Sequence, residues 1–274
     1  FKQGFEKDHS VAVSNGYGMT ETTSLISRAP ENQPPGSVGM RIPYSQIRIV
    51  HLDGTTVTHN CALEESGVVM VKGPQIFVGY KSESDNAQAW VEDGWFNTGD
   101  LGYLDDKGFL YLSGRAKDLI IRSGHNIDPD LIEEPLNAHP EVMTSTAIGL
   151  PDVYAGELPM AYVVRTPGSE VSAEALIEHC TAEMSERAAI PKRIEFVDAM
   201  PLTAVGKVYR PSLRQSISEQ VVRETLTNAS IAASVESELE KKRGLVIRIS
   251  VDDKSKVDEA KNLIEDYTFI SEVS

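Results

Sequence analysis

The stretch GYLDDKGFLYLSGRAKDLIIRS, residues 102–123, contains the change of pattern that decides the fold. Its first half has short alternating apolar runs on either side of a turn from Asp105 to Gly108, which is typical of a β-hairpin. Similar runs, separated by Gly and Asp, extend back to about residue 38, with Asp53-Gly54 as another reversal. We therefore predict a small antiparallel β unit over residues 38–115.

After Arg115 helical and strand-like segments alternate. Asp128 and Pro129 are typical of a helix start. A helix is predicted near residues 172–185, and strands at VMTSTAIGL (142–150), MAYVVRT (160–166) and RIEFV (193–197). This pattern predicts a compact α+β domain, with a hinge near GRAKD (114–118). The residues after Arg214 predict a further helix, two strands and a last helix at KVDEAKNLIEDY (256–267).

The composition favours small-molecule chemistry. The chain has 274 residues, of which 41% are hydrophobic and 24% charged, as in soluble globular proteins. Its formal net charge of -15 argues against nucleic-acid or anionic-membrane partners, which require basic surfaces. No apolar run approaches the roughly 18 residues of a transmembrane helix.

The two cysteines, Cys61 and Cys180, are far apart and outside any CxxC spacing. They therefore suggest neither a disulfide framework nor a zinc site, and they fit a reducing, intracellular setting. Cys180 shares a predicted helical face with Leu176, Ile177 and Met184, so we interpret it as a core residue.

The polar segment SNGYGMTETT, residues 14–23, combines flexibility with ligand-binding groups. Gly16 and Gly18 permit positive φ and a close backbone approach to a ligand. Thr20 offers a hydroxyl group, and Glu21 offers a carboxylate of the kind that binds hard cations. The segment alone is compatible with a nucleotide-binding loop or with an ordinary surface turn.

Four segments, taken in order, resemble the conserved segments of the adenylate-forming superfamily. They are NGYGMTE (15–21), WFNTGD (95–100), GRAKDLIIRSGHNIDP (114–129) and PLTAVGKVYR (201–210). That superfamily includes acyl-CoA synthetases, luciferases and the adenylation domains of peptide synthetases, and the resemblance covers about residues 10–214. It implies an α+β protein with three parts: the end of an AMP-binding domain with its β subdomain (1–116), a mobile C-terminal catalytic domain (117–214), and an extension of unknown role (215–274).

The resemblance also implies roles for residues of the first segment. Tyr17 would stack on adenine, with Asn15 and Gly16 near the edge of the base. Thr20 would hydrogen-bond the α-phosphate, and Glu21 would hold Mg²⁺.

The later segments would complete the site. Asp100 would accept hydrogen bonds from the ribose hydroxyls, and Arg115 would support the sugar and the phosphate. Lys207 would stabilise the charge that develops when a carboxylate attacks the α-phosphate. Lys117 would be the hinge, and SGHNI (123–127), around Gly124, would meet the pantetheine arm of CoA. We interpret His125 in that segment as a structural or binding residue.

The implied function is that of an ATP-dependent acid:CoA ligase using ATP, Mg²⁺ and CoA in the cytoplasm, with a fatty acid as the preferred carboxylic acid substrate. The family's Ser/Thr/Gly loop ending in Pro-Lys-Gly does not occur in this sequence. We therefore expect a C-terminal fragment that is inactive alone. Two alternatives stay open at this stage, namely an adenylation domain that loads a carrier protein and a noncatalytic interaction module.

Overall fold

The computed structural model describes residues 13–30, 33–204, 206–240 and 243–274. The first twelve residues of the predicted AMP-binding part lie outside the described residues. The chain divides into two compact units, with the boundary between Lys117 and Asp118.

The first unit consists mainly of antiparallel sheet, as the sequence predicts. A small sheet has the order β1-β2-β3, and a six-stranded sheet has the order β5-β4-β6-β8, with β7 and β9 both paired to β8. The elements are β1 (Gly16–Tyr17), β2 (Ser27–Arg28), β3 (Met40–Arg41), β4 (Gln46–Asp53), β5 (Thr56–Asn60), β6 (Gly67–Lys72), α1 (Glu83–Ala89), β7 (Trp90–Val91), β8 (Trp95–Leu104) and β9 (Leu110–Arg115).

Both predicted reversals are confirmed. Gly54 lies between β4 and β5 with φ of 60°, and Gly108 lies between β8 and β9 with φ of 81°. The Gly108 amide donates to the Asp105 carbonyl at 3.0 Å, which closes the second turn. Glycine suits these positions because positive φ carries no steric penalty there.

Strand β8 explains why one carboxylate of this unit is buried. Its burial alternates with a period of two, so Phe96, Thr98 and Asp100 face the interior while Asn97 and Gly99 are partly exposed. Phe96 belongs to the core of the unit, together with Ile49, Val69 and other apolar side chains. The same alternation that buries Phe96 therefore places Asp100 on the inner face.

The second unit begins with a mixed sheet of order β11-β10-β13-β12, in which β14 is parallel to β13. At the start of the first helix of this unit, Asp128 Oδ1 accepts from the Asp130 amide at 3.0 Å, and Pro129 is the N-cap residue. Cys180 is fully buried in the core with Leu176 and Met184, as predicted. The elements are β10 (Ile120–Arg122), β11 (His125–Ile127), α2 (Asp130–Ala138), β12 (Val142–Asp152), β13 (Gly156–Arg165), α3 (Ala173–Glu183) and β14 (Arg193–Phe196).

The C-terminal residues belong to the same compact unit. One side of α4 packs Ile217 and Val221 against residues of β12 and β13, while Val222 and Leu226 join a second core with β15 and β16. The predicted helices and two strands are present, and a short strand, β17, that the sequence analysis missed lies parallel to β16. The elements are α4 (Arg210–Asn228), β15 (Ala233–Glu240), β16 (Gly244–Val251), α5 (Val257–Ile264) and β17 (Ile270–Val273).

Candidate functional site

Three of the predicted nucleotide-binding residues meet in the first unit. The pairing of β8 with β9 places Asp100 directly opposite Arg115, whose Nε donates to Oδ1 at 2.9 Å. The Tyr17 hydroxyl donates to Oδ2 of the same carboxylate at 2.5 Å. The Asp100 amide donates to Thr98 Oγ1 at 3.1 Å, so the backbone of Asp100 is fixed as well. The chain thus holds one buried carboxylate, 5% exposed, between a phenol and a guanidinium.

The electrostatics of this cluster keep Tyr17 a hydrogen-bond donor. Burial raises the pKa of its phenol well above the usual value, and the negative charge and hydrogen bond of Asp100 raise it further. A carboxylate offers about four acceptor positions, and Tyr17 and Arg115 occupy one on each oxygen. The carboxylate therefore retains acceptor capacity for further hydroxyl groups.

The Tyr17 ring itself is mostly enclosed. Only 8% of the residue is exposed, and the ring packs in the core with Ile26 and Ile49. A planar ligand would therefore find only a small accessible area of the ring, and the stacking of adenine on Tyr17 stays a prediction. The observed contact of Tyr17 is the one that positions Asp100.

The two glycines of the loop at residues 14–23, Gly16 and Gly18, are not explained by the positive φ that the sequence analysis expected. Neither Gly16 nor Gly18 has positive φ, so that expectation is wrong, and Thr23 (φ 51°) and Ser24 (φ 87°) adopt positive φ instead. A Cβ on Gly18 would lie 1.9 Å from the Ser24 carbonyl oxygen. Gly18 is thus required by the close return of the loop onto itself.

Thr20 and Glu21 lie in the 3₁₀ turn Thr20–Thr22 of the same loop. The Tyr80 hydroxyl donates to Glu21 Oε1 at 2.8 Å, and the Phe77 amide donates to the Glu21 carbonyl at 2.8 Å. Sequence reasoning missed Tyr80 because it lies 59 residues further along the chain. The half-buried carboxylate of Glu21 and the exposed hydroxyl of Thr20 are hard oxygen ligands, which fit a magnesium ion.

Asn15 and Gly16 lie at the beginning of this region. The Asn15 carbonyl accepts from the Ala29 amide at 3.0 Å, and Gly16 pairs with Arg28 between β1 and β2. Both residues are exposed. Their backbone is therefore fixed by pairing while their outer surface stays accessible.

Gly124 occupies the tight turn between β10 and β11. Ser123 has φ of 50° and Gly124 φ of 81°, which is the pattern of a two-residue hairpin turn with both central residues left-handed. A Cβ on Gly124 would have no neighbour within 4 Å, so its conformation and not space explains the glycine. The adjacent His125 pairs through Nε2 with Glu186 Oε1 at 2.8 Å.

Lys207 is presented by a closed loop before α4. The Thr203 amide donates to the Lys207 carbonyl at 2.7 Å, and the Lys207 amide donates to Thr203 Oγ1 at 3.1 Å. Val205, inside this loop, lies outside the described residues. Lys207 is exposed, and its ammonium forms no hydrogen bond or ion pair with any residue that the structure describes. A backbone-fixed loop with a free cation suits an external anionic ligand.

Lys117 is the last residue of the first unit and is exposed. Before it, the Ala116 amide donates to the Gly99 carbonyl at 3.0 Å. After it, Arg214 Nη2 donates to the carbonyls of Asp118 and Leu119 at 3.2 and 3.3 Å. Lys117 thus lies between two anchored segments, each tied to its own unit.

Comparison with known protein families identifies the family of this chain. The profile described as AMP-binding enzyme matches residues 1–81, and that of the AMP-binding enzyme C-terminal domain matches residues 131–207. The chain belongs to the AMP-binding enzymes. Both profiles end before α4, so neither covers residues 208–274.

Curated relatives of the chain are CoA ligases. It is 46% identical over 217 residues to the marinolic acid–CoA ligase of Pseudoalteromonas sp. (strain SANK 73390), a match that covers 78% of this chain and 33% of that protein. It is 38% identical to the 2-succinylbenzoate–CoA ligase of Bacillus cereus, a match that covers 77% of this chain and 43% of that protein. It is 35% identical to the long-chain-fatty-acid–CoA ligase of Bacillus subtilis, a match that covers 80% of this chain and 39% of that protein. The chain thus spans less than half the length of these relatives.

Solved structures agree with this assignment. ATP-bound MatB from Rhodopseudomonas palustris superposes with a TM-score of 0.72 at 31% identity, covering 80% of this chain and 43% of that one. The o-succinylbenzoate CoA synthetase of Bacillus subtilis, in complex with ATP and a magnesium ion, superposes with a TM-score of 0.68 at 35% identity. The match covers 76% of this chain and 42% of that one. None of the helices in the described part of this chain has the length and apolar character needed to cross a membrane.

Proposed function

We propose that this chain is the C-terminal part of an ATP-dependent acid:CoA ligase that works through an acyl-adenylate. The observation that carries the proposal is the buried Asp100 carboxylate, held between Tyr17 and Arg115 with acceptor capacity to spare. Membership of the AMP-binding enzymes and the CoA ligase relatives support the same reaction class.

The nucleotide is proposed to bind to the first unit. Asp100 accepts hydrogen bonds from the ribose hydroxyls, because a buried, acceptor-only group is suited to two neighbouring hydroxyl donors. Tyr17 and Arg115 fix its orientation, and the partly exposed guanidinium of Arg115 also faces the nucleotide. Adenine lies beside Asn15 and Gly16, at the exposed start of the loop.

The phosphates are proposed to lie beside the 3₁₀ turn. Thr20 donates its hydroxyl to the α-phosphate, and Glu21 holds Mg²⁺ through the carboxylate that Tyr80 orients. When bound there, the ion would supply positive charge beside the phosphates. Thr20 and Glu21 are thereby the phosphate-side residues of the site.

Lys207 and the hinge are proposed to serve successive steps. In the first, the substrate carboxylate attacks the α-phosphorus of ATP and pyrophosphate leaves, while the Lys207 ammonium stabilises the added negative charge. In the second, the CoA thiol attacks the acyl carbon and AMP leaves. Rotation about Lys117 would exchange Lys207 for the turn around Gly124, which then contacts the pantetheine arm.

For the acid, we propose a fatty acid, and for the location of the enzyme the cytoplasm. Similarity to the long-chain-fatty-acid–CoA ligase supports this choice of acid. Similarity to the 2-succinylbenzoate–CoA ligase makes an aromatic acid the main competitor. Thioester formation by the full-length protein with saturated acids of increasing chain length, and with 2-succinylbenzoate, separates the two.

The decisive test is nucleotide binding by an Asp100→Ala variant of the full-length protein, measured by calorimetry. Each lost charge-assisted hydrogen bond costs on the order of 1.5 to 3 kcal/mol, so ATP affinity should fall at least about tenfold. Asp106→Ala is the matched control, because Asp106 is an exposed carboxylate in the following turn. Equal ATP affinity in the two variants would contradict the ribose-binding role.

A further inference from the structure

The β4–β5 hairpin and the loop after it bring together four side chains that the proposed reaction does not use. His51 lies directly opposite His59 in the register of the hairpin. Their rings stack, with centroids 4.6 Å apart and an interplanar angle of 28°. Cys61 and Glu65 follow in the loop that leads to β6.

The Glu65 carboxylate joins the two histidines. Its Oε1 lies 3.1 Å from His51 Nε2 and 3.7 Å from His59 Nε2. Its Oε2 accepts from the Ala62 amide at 2.7 Å, which fixes the carboxylate on the loop. One donor atom each from His51, Cys61 and Glu65 lies within 4.8 Å of the others. A sulfur, an imidazole nitrogen and a carboxylate oxygen therefore lie close together, and the second imidazole, of His59, lies beside the same carboxylate.

We propose that His51, His59, Cys61 and Glu65 form a binding site for a zinc ion. Thiolate, imidazole and carboxylate are the ligands that zinc takes, and four such groups satisfy its tetrahedral coordination. Bonds of about 2.0 to 2.3 Å place neighbouring donor atoms roughly 3 to 4 Å apart, so the donor atoms of His51, Cys61 and Glu65 need only a small closure. His59, whose side chain is 57% exposed, would rotate towards them to complete the set.

The exposure of the site allows this closure. The side chains of His51, His59 and Glu65 are 44%, 57% and 41% exposed, which leaves room for rotation and for entry of the ion from solvent. On binding, the Cys61 thiol releases its proton to solvent as the sulfur–zinc bond forms. The ion would connect β4, β5 and the loop before β6, and would stabilise this edge of the sheet.

Another His–Glu pair in the chain provides a comparison. His125 and Glu186 are joined at 2.8 Å, which is shorter than either His–Glu65 distance. In the described part of the chain, however, only the cluster at His51 brings a cysteine sulfur within 4.8 Å of the donor atoms of such a pair. The thiol and the second imidazole distinguish the proposed site from an ordinary ion pair.

Cobalt titration of the reduced full chain tests the proposal, because a cobalt–thiolate bond gives a charge-transfer band in the near ultraviolet. The experiment uses the Cys180→Ala background, in which Cys61 is the only thiol. We expect the band to appear with Co²⁺ and to disappear when Zn²⁺ is added. Cys61→Ser should abolish the band, and His59→Gln should weaken cobalt affinity by more than about tenfold.

His125→Gln is the matched control and should leave the band and the affinity unchanged. Tryptophan fluorescence reports whether the unit that contains the cluster is folded, since both tryptophans, Trp90 and Trp95, lie in it. Far-ultraviolet circular dichroism checks the His125→Gln and Cys180→Ala substitutions, which lie in the second unit. If Cys61→Ser is unfolded, the cobalt affinities of His59→Gln and His125→Gln are compared instead, and a lower affinity in His59→Gln alone supports the site. Absence of the band in the Cys180→Ala background, or equal cobalt affinity in the two histidine variants, overturns the proposal.

Discussion

Tyr17→Phe tests the interaction that we consider central to the nucleotide site. The substitution removes only the hydroxyl that donates to Asp100 Oδ2 at 2.5 Å and keeps the ring in its core position. Tyr17 and Asp100 are 8% and 5% exposed, so water has little access to replace the lost donor. A hydrogen bond to a charged group contributes about 1.5 to 3 kcal/mol, which corresponds to a change of roughly ten- to a hundredfold in the unfolding equilibrium.

Urea unfolding followed by tryptophan fluorescence measures this cost in the first unit alone, because the two tryptophans, Trp90 and Trp95, both belong to it. Tyr111→Phe is the matched control. Its hydroxyl lies 3.5 Å from Asp105 Oδ2 at a partly exposed site, so its removal should cost much less than removal of the Tyr17 hydroxyl.

A double-mutant cycle with Asp100→Asn assigns the effect to the pair. We expect a coupling energy of about 1 kcal/mol or more, because the residues touch. If Tyr17→Phe costs no more than Tyr111→Phe, or if the effects of Tyr17→Phe and Asp100→Asn simply add, Tyr17 does not hold Asp100 in place.

The remaining predictions concern the two steps of catalysis and the stability of the second unit. Lys207→Ala should slow acyl-adenylate formation in the full-length protein by about a hundredfold to a thousandfold, yet spare thioester formation from presynthesised acyl-adenylate, since the lost charge acts in the first step. Lys117→Pro should do the reverse, because proline fixes φ and hinders rotation; equal losses in both steps for both variants would refute alternation. Burial raises the pKa of Asp128 to about 6, with help from the charges of nearby carboxylates, so the folded state holds this proton more tightly than the unfolded state and stability falls as pH rises from about 4 through 6. Asp128→Asn should therefore stabilise the chain at pH 7 by on the order of 1 kcal/mol, a figure reduced for partial solvation, and should have little effect below pH 4. Urea unfolding followed by far-ultraviolet circular dichroism measures this difference. Equal urea midpoints for wild type and variant at pH 7 would show that the charge of Asp128 does not destabilise the fold.

Local signals in the sequence determined most of the secondary structure. The Asp53-Gly54 and Asp105–Gly108 reversals and the helix start at Asp128 could be predicted, because turns and caps depend on a few adjacent residues. The short strand Ile270–Val273 was missed, because its pairing with β16 depends on a distant segment and four residues carry little pattern.

For the candidate site too, some features could be predicted from the sequence and others only from the structure. The four segments of the sequence identified Tyr17, Asp100 and Arg115 through family resemblance. Only the tertiary structure showed that the Tyr17 hydroxyl and the Arg115 guanidinium hold the two oxygens of one buried carboxylate. The sequence also pointed to positive φ at Gly18, whereas the structure requires glycine there because the Ser24 backbone returns so closely.

The sequence by itself determined the family, the order of most elements and the residue types available for chemistry, since these depend on composition and on local spacing. The tertiary structure decided which of those residues share a site. The cluster of His51, His59, Cys61 and Glu65 shows the difference, because no metal-binding spacing connects these positions along the chain. A bulge between His51 and Leu52 sets the register that places His51 opposite His59, and the predicted reversal at Asp53-Gly54 does not specify that bulge. The course of the loop before β6 depends on the pairing of β6 with β4, which is nonlocal and which no local pattern encodes.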